Sequence, residues 1–300
     1  MIECTKEYLK KNDVEFKEKI KIKDFSAIKI GGPAAIVAYP DTEEKLCELL
    51  SFLSNVGLKY KVVGGMSNIL ADDGEYNGVL VKTDKLKKFS INGELVFAYC
   101  GVSLPYLAHA CACVGLSGFE RLSGIPGRIG ASVRGNAGAY GAEISQLVLE
   151  CKVFSPLHNE ATILSQKDLD FSYRNSYVKR SEDVIVSVKL KLKKGDCNQI
   201  SSEMDHYKSK RKISQPINFP SLGSVFKKTA DGISAAMLID RCGLRGYAHG
   251  NAEISTKHAG FIVNRGNASS DDVKRLVETA QNAVYDKFLI KLEREIEYLN

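Results

Sequence analysis

No stretch of the 300 residues approaches the roughly 18 uninterrupted apolar positions that a membrane-spanning helix needs. The opening residues, MIECTKEYLKKNDVEFKEK, are too charged for a secretory leader and have no apolar centre. These two absences lead us to expect a cytoplasmic protein with no membrane association. The eight cysteines include no C-x-x-C pair, so no zinc or iron–sulfur pattern is present, and reduced thiols are expected. Cys111 and Cys113 stand two apart in an expected helix and face different ways, which suits structural filling and not a shared metal. No basic run interleaved with aromatic residues appears, which speaks against nucleic acid as a partner; the densest basic cluster, Lys208 to Lys212, is short. Internal repeats and low-complexity segments are missing too, and no obligate protein partner is evident.

What remains is an ordinary globular composition, 44% hydrophobic and 26% charged with seven prolines and a formal charge of +6. The positive charge suits anionic ligands such as dinucleotides and equally suits a solvated surface. Three hundred residues bury a sizeable core and exceed one common domain, so two or three lobes are expected. Residues 22–39 read as strands broken at Gly31-Gly32-Pro33, followed by a helix capped by Asp41 or Thr42 with Leu46, Leu49, Leu50 and Leu53 at helical spacing. Strands follow at Tyr60 to Val63 and Gly78 to Lys82. Further strand patterns at 95–100, 148–154 and 184–192 enclose a helix at 104–114, and Val186, Val188, Leu190 and Leu192 alternate cleanly with polar neighbours.

The last section opens with a polar helix near 198–212, then a helix near 233–242 and a strand at 259–264. Ser270 is expected to cap a helix carrying the stripe Val273, Leu276, Val277, Ala280 and Val284, and the tail from Phe288 to Leu299 reads as a strand. Clustered strands and irregularly placed helices argue for an α+β fold. The expected division is 1–83, 84–207 and 208–300.

Two loops have the composition of anion cradles. Gly64, Gly65, Met66, Ser67 and Asn68 directly follow an apolar strand, where glycine main chain and polar side chains can crowd donors toward a pyrophosphate. The pentapeptide alone is equally an ordinary glycine turn, and it is neither a G-x-G-x-x-G fingerprint nor a P-loop. The second region is denser: Gly124, Ile125, Pro126 and Gly127, then Gly130 and Ala131, then Asn136, Gly138, Ala139 and Gly141. Its six glycines in eighteen residues let a flat ligand lie against the backbone.

Six motifs in this order, namely GGPA with GGMSNIL, GIPGRIGASVRGNAGAYG, FSYRNS, QPINFPSLGSVFK and KHAGFIVN, resemble the UDP-N-acetylenolpyruvoylglucosamine reductases of bacterial cell-wall synthesis over about residues 24 to 297. The resemblance implies a two-lobed FAD-binding fold of the vanillyl-alcohol-oxidase type plus an α/β substrate-binding lobe. It also implies FAD as cofactor, NADPH as hydride donor, UDP-N-acetylglucosamine enolpyruvate as substrate and UDP-N-acetylmuramate as product. Only 49 residues separate Arg174 from Ser224, which resembles the shorter branch of the family without an inserted tyrosine loop. Met66 departs from the family, in which glycine is common at that position; a positive φ there would cost methionine ~1–2 kcal/mol.

The resemblance assigns three catalytic residues. Arg174 matches the arginine that meets charge growing on the substrate carboxylate, as a permanently charged fork can. Ser224 matches the proton donor, and Glu295 the third residue, on a C-terminal strand returning to the site, where Glu293 and Glu297 share its face. Tyr173, Lys227, Asn251 and His258 are candidates for contacts to the sugar diphosphate or the nicotinamide phosphates, and Arg211 or Lys212 for phosphate. His258 equally suits a satisfied structural histidine. Two other readings compete: another FAD-dependent oxidase or dehydrogenase of the same fold, and a non-catalytic nucleotide-binding protein.

Overall fold

The computed structural model describes residues 1–300, which gather into two compact units. The first takes residues 1–18, 36–65 and 78–209; the second takes 19–35, 66–77 and 210–300. Each has its own apolar core, and no buried residue of one core belongs to the other unit. Residues 19–35 and 66–77, expected in a first lobe, therefore group with the C-terminal section, while most of 1–83 clusters with 84–207. No helix is long and apolar enough to cross a membrane.

The two largest sheets draw most of their residues from the first unit. One has the order Glu15–Lys21, Pro33–Tyr39, Tyr76–Lys82, Tyr60–Val63, the last two strands running parallel. The other is antiparallel throughout, in the order Glu160–Ser165, Val148–Ser155, Val184–Lys191, Leu95–Tyr99, Phe89–Asn92. The helix Glu43–Asn55 forms because Thr42 caps it, its hydroxyl accepting from the Lys45 N–H at 3.2 Å, and because Leu46, Leu49, Leu50 and Leu53 share one fully buried face.

Corrections come where apolar residues lie in irregular backbone. Residues 22–32 are not a strand: Ile22–Asp24 is a 3₁₀ turn, and the Ile22 N–H donates back to the Gly32 carbonyl at 2.8 Å. Ile28 and Ile30 are buried there all the same, so burial came without strand pairing. The strand begins at Pro33.

In the second unit an antiparallel sheet runs Ser221–Ser224, Phe261–Asn264, Ala252–Ile254, Ala248–His249, and the helices Ala235–Arg241 and Ser270–Phe288 share its core. The long helix is capped by Ser269 and not by Ser270: the Ser269 hydroxyl accepts from the Asp272 N–H at 3.0 Å, and Asp272 returns the contact to the Ser269 N–H at 2.9 Å. Ser270 is the first helical residue, and its N–H and hydroxyl donate to Asp73 at 2.7 and 2.9 Å. The tail is not one strand either. The helix persists through Phe288, Leu289 turns at φ +58°, and only Glu297–Leu299 is a strand, parallel to Ile69–Ala71. Ser269→Ala should cost about 1 kcal/mol through loss of the reciprocal cap. The measurement is the urea midpoint, and an unchanged midpoint would show that the cap contributes nothing.

Candidate active site

The first unit builds a cradle of nearly bare main chain. Tyr60–Val63 ends at Gly64-Gly65, and a Cβ added to Gly65 would stand 3.5 Å from the Gly127 Cα. At Gly64 the same atom would come within 2.9 Å of the Arg128 side chain, too close without displacement. Gly127 has φ +142°, a conformation open to glycine and strained for other residues. The segment 127–130 is bonded to 100–104: Leu104 donates to the Gly127 carbonyl at 3.1 Å, Ile129 to Val102 at 2.8 Å and Gly130 to Cys100 at 2.9 Å. Gly124, Ile125 and Pro126 form the turn before it, with the Ile125 N–H donating to Leu122 at 2.9 Å. Gly130 and Ala131 lie in the helix Ile129–Arg134.

Arg128 and Asp84 escaped the sequence reading. Asp84 accepts from the Arg128 Nε and Nη2 at 3.1 and 2.7 Å and meets Lys82 Nζ at 2.9 Å. This two-pronged contact fastens the glycine loop to the end of Tyr76–Lys82. The arginine inside GIPGR was the only available signal, since its partner lies 44 residues away.

Gly138 and Ala139 pair with Ala142 and Glu143 across a two-residue turn in which Tyr140 and Gly141 both have positive φ. Asn136 (φ +43°, 1% exposed) spends its side chain on the loop: Nδ2 donates to Glu143 Oε2 and to the Ser172 carbonyl, each at 2.9 Å, and Oδ1 accepts from Ser145 at 3.3 Å. Arg174 sits at φ +56° in the tight turn Ser172–Asn175. Its Nη1 donates to the Asn136 carbonyl at 3.3 Å and its Nη2 to the Gly138 carbonyl at 2.9 Å, with the Tyr173 ring 5.1 Å from its Cζ. The guanidinium is thus aimed by the main chain of the glycine loop.

The second unit brings Ser224 and Glu295 together. Ser224 is exposed at the end of Ser221–Ser224, after Gly223 at φ +75°. The next residue, Val225, donates its N–H to the Gly260 carbonyl at 2.8 Å and accepts the Glu295 N–H at 2.8 Å. On the tail's other edge the Asn68 Nδ2 donates to the Glu295 carbonyl at 3.0 Å, and Glu297 donates to the Asn68 carbonyl at 2.9 Å. Met66 has φ +48° and is 2% exposed, so its side chain is packed. Lys227 pairs with the Glu293 carboxylate, and its N–H bonds the Glu293 carbonyl at 2.9 Å.

His258 lies in the turn that ends at Gly260. Its Nδ1 accepts the Gly260 N–H at 3.1 Å, and its ring meets Phe261 edge-on at 4.8 Å. Burial lowers its pKa, so the neutral ring that this bond requires is favoured. Asn251 stands near the Asn264 end of Phe261–Asn264, whereas Ser224 pairs at the Phe261 end; its N–H bonds Asp272 at 3.4 Å and its Nδ2 the Asn267 carbonyl at 3.5 Å.

A family model described as an FAD binding domain matches residues 34–157, and one described as the C-terminal domain of UDP-N-acetylenolpyruvoylglucosamine reductase matches 215–299. The chain is 40% identical over 97% of its length to the UDP-N-acetylenolpyruvoylglucosamine reductase of Caldicellulosiruptor bescii, covering 93% of that protein. It is 36% identical over 99% of its length to the protein of that name from Caldanaerobacter subterraneus, covering 97% of it. The crystal structure of UDP-N-acetylenolpyruvylglucosamine reductase from Thermus caldophilus superposes with a TM-score of 0.81 at 31% identity, over 96% of this chain and 99% of that one.

Two outcomes follow from this geometry. A Cβ at Gly138 would stand 2.7 Å from the Ala142 carbonyl and 3.2 Å from Arg174 Nη1, so Gly138→Val should distort both loop and guanidinium and yield colourless protein. Flavin absorbance after purification is the measurement, and a normal flavin content would remove this loop from the cofactor site. Because burial depresses the His258 pKa, its contribution to stability is present above 6.5, the ordinary imidazole value, and is lost as pH falls below it toward the folded-state pKa. Thermal melts between neutral pH and pH 5 should show that loss, and His258→Asn, which keeps an acceptor but cannot titrate, should flatten it.

Proposed function

The chain belongs to the UDP-N-acetylenolpyruvoylglucosamine reductase family, and on that footing we propose that it reduces the enolpyruvyl group of UDP-N-acetylglucosamine enolpyruvate. The product is UDP-N-acetylmuramate, a peptidoglycan precursor, and the setting is the cytoplasm. The observation that carries the reading is the 2.8 Å bond from the Glu295 N–H to the Val225 carbonyl, which sets Glu295 beside the residue following Ser224. These two residues lie 71 positions apart in sequence and are brought near one another by this main-chain pairing.

FAD is the cofactor, and the residues of the first unit fit it. Gly64 and Gly138 present main chain at points where a side chain would strike Arg128 or Arg174, Gly127 would need a strained φ, and Gly65 lies against Gly127. When bound, FAD supplies the substrate with a hydride that NADPH provides.

The protein's own residues handle charge and proton. Hydride addition to one carbon of the enol ether leaves an enolate-like dianion on the carboxyl group, and the neighbouring carbon must be protonated. Arg174 binds the growing carboxylate charge; its fork is already oriented by two carbonyls, so little reorganisation accompanies the reaction. Ser224 delivers the proton from its exposed hydroxyl, and Glu295 is the third catalytic residue. Between Arg174 and Ser224 the chain spends its length on Tyr177–Arg180, Val184–Lys191, Lys193–Lys194 and Cys197–Ser214, which supports the shorter branch of the family.

Stopped-flow observation of flavin colour in the two half-reactions tests these roles. Arg174→Ala should slow reoxidation by substrate about a hundred- to thousand-fold, the typical effect of one preorganised donor, and slow reduction by NADPH far less. Equal slowing of both would assign Arg174 to flavin binding or folding. Ser224→Ala should keep flavin and NADPH reduction while reoxidation falls by several orders of magnitude, and Ser224→Cys, a better acid, should recover part of the rate. A Ser224→Ala protein reoxidised within about tenfold of the parent rate would end the proton-donor role.

A further inference from the structure

The segment that leaves the helix Leu104–Cys113 and the segment that enters the helix Cys197–Ser214 run antiparallel. Ser117 pairs with Lys193 and Leu116 with Lys194, and the Gly195 N–H donates to the Gly115 carbonyl at 2.8 Å. Cys113 is the last residue of the first helix and Cys197 the first residue of the second, so this pairing brings the end of one helix to the start of the other. Cys197 Sγ lies 3.8 Å from the Cys113 carbonyl oxygen, and both cysteines are exposed.

Cys113 has a further neighbour. Its Sγ lies 3.7 Å from Nε2 of His109, one turn earlier on the same exposed helix face. Other cysteines of this unit have a different character. Burial pushes the Cys47 thiol up to about 11 and those of Cys100, Cys111 and Cys151 to about 12, which keeps them as inert thiols in the core.

We propose that Cys113 and Cys197 are a redox-modification site, forming an intramolecular disulfide by exchange with a low-molecular-weight disulfide. The Cys113 thiol gives its proton to His109 Nε2 and its sulfur attacks one sulfur of the small disulfide. A mixed disulfide forms, and the other half leaves and takes up a proton as a free thiol. Cys197 then attacks the Cys113 sulfur, loses its own proton and releases the second small thiol. The protein dithiol is oxidised by two electrons and the small disulfide is reduced to two thiols. The new bond joins the end of one helix to the start of another and closes residues 113–197 into a loop. That loop contains the glycine segment 124–141 and Arg174.

The test uses full-length, flavin-loaded protein treated with oxidised glutathione, then alkylated and digested without reductant. The expected result is loss of two of the eight thiols, a mass lower by two hydrogens, and a peptide pair joining Cys113 to Cys197. Dithiothreitol should restore the starting mass. Cys113→Ser and Cys197→Ser should each retain one glutathione on the remaining cysteine and yield no joined peptide. Glutathione standing separately on both cysteines of the parent protein, with no joined peptide, would overturn the proposal. So would unreacted cysteines at both positions, or a cross-link between copies through the exposed Cys4.

Discussion

Main-chain hydrogen bonds to the tail at residues 293–299 hold the second unit's site in place. On one edge Lys227 donates to Glu293 and Glu295 donates to Val225; on the other Glu297 donates to Asn68, and the strand Glu297–Leu299 continues beside Ile69–Ala71. These bonds use the peptide groups of the tail and not the Glu295 carboxylate. A strap built this way is fixed by main-chain contacts on both sides of Glu295. The Asn68 side-chain amide adds a bond to the Glu295 carbonyl.

In the first unit the relation is reversed: main chain aims a side chain. Carbonyls of Asn136 and Gly138 accept from the Arg174 fork, and the Arg174 turn is in turn held by Asn136 through Ser172 and by Lys179 through the Arg174 carbonyl. Arg174 at φ +56° stores local strain of about 1–3 kcal/mol, which persists only where the surroundings over-determine the conformation. Met66 shows the same balance. Its positive φ costs about 1–2 kcal/mol, but truncating a buried methionine costs about 2–5 kcal/mol, so packing outweighs the strain. The loop therefore holds its shape with methionine at a positive φ.

Much of this was legible, and the misses have physical causes. The helix Glu43–Asn55 and the stripe on Ser270–Phe288 could be read because a buried helix face repeats every three or four residues. The strand Glu15–Lys21 went unread because it is mostly charged and exposed, an edge strand whose identity lies in its partner. Ile28 and Ile30 misled in the opposite sense, being core residues on irregular backbone. The cap moved by one residue because Asp73, which engages Ser270, is 197 positions away. For the site, glycine density was visible because it is local. The Asp84–Arg128 fastening and the Glu295–Val225 bond join distant segments and leave no mark in either one.

The pentapeptide GGMSN shows how far a motif is from a single role. It was expected to act whole, as an anion cradle, yet its residues divide between the two units at Gly65 and Met66. Gly64 lies against Arg128, where the absence of a Cβ matters, and Gly65 lies against Gly127. Met66 is packed with its carbonyl accepting from the Ala27 N–H at 3.3 Å, and Asn68 is committed on both its side-chain amide and its carbonyl to the C-terminal strap. The first two residues thus belong to the first unit's glycine loop. The last residue answers to Glu295, whose requirement is a fixed peptide. The two ends of the loop thus carry unrelated constraints, and the buried Met66 at φ +48° lies between them.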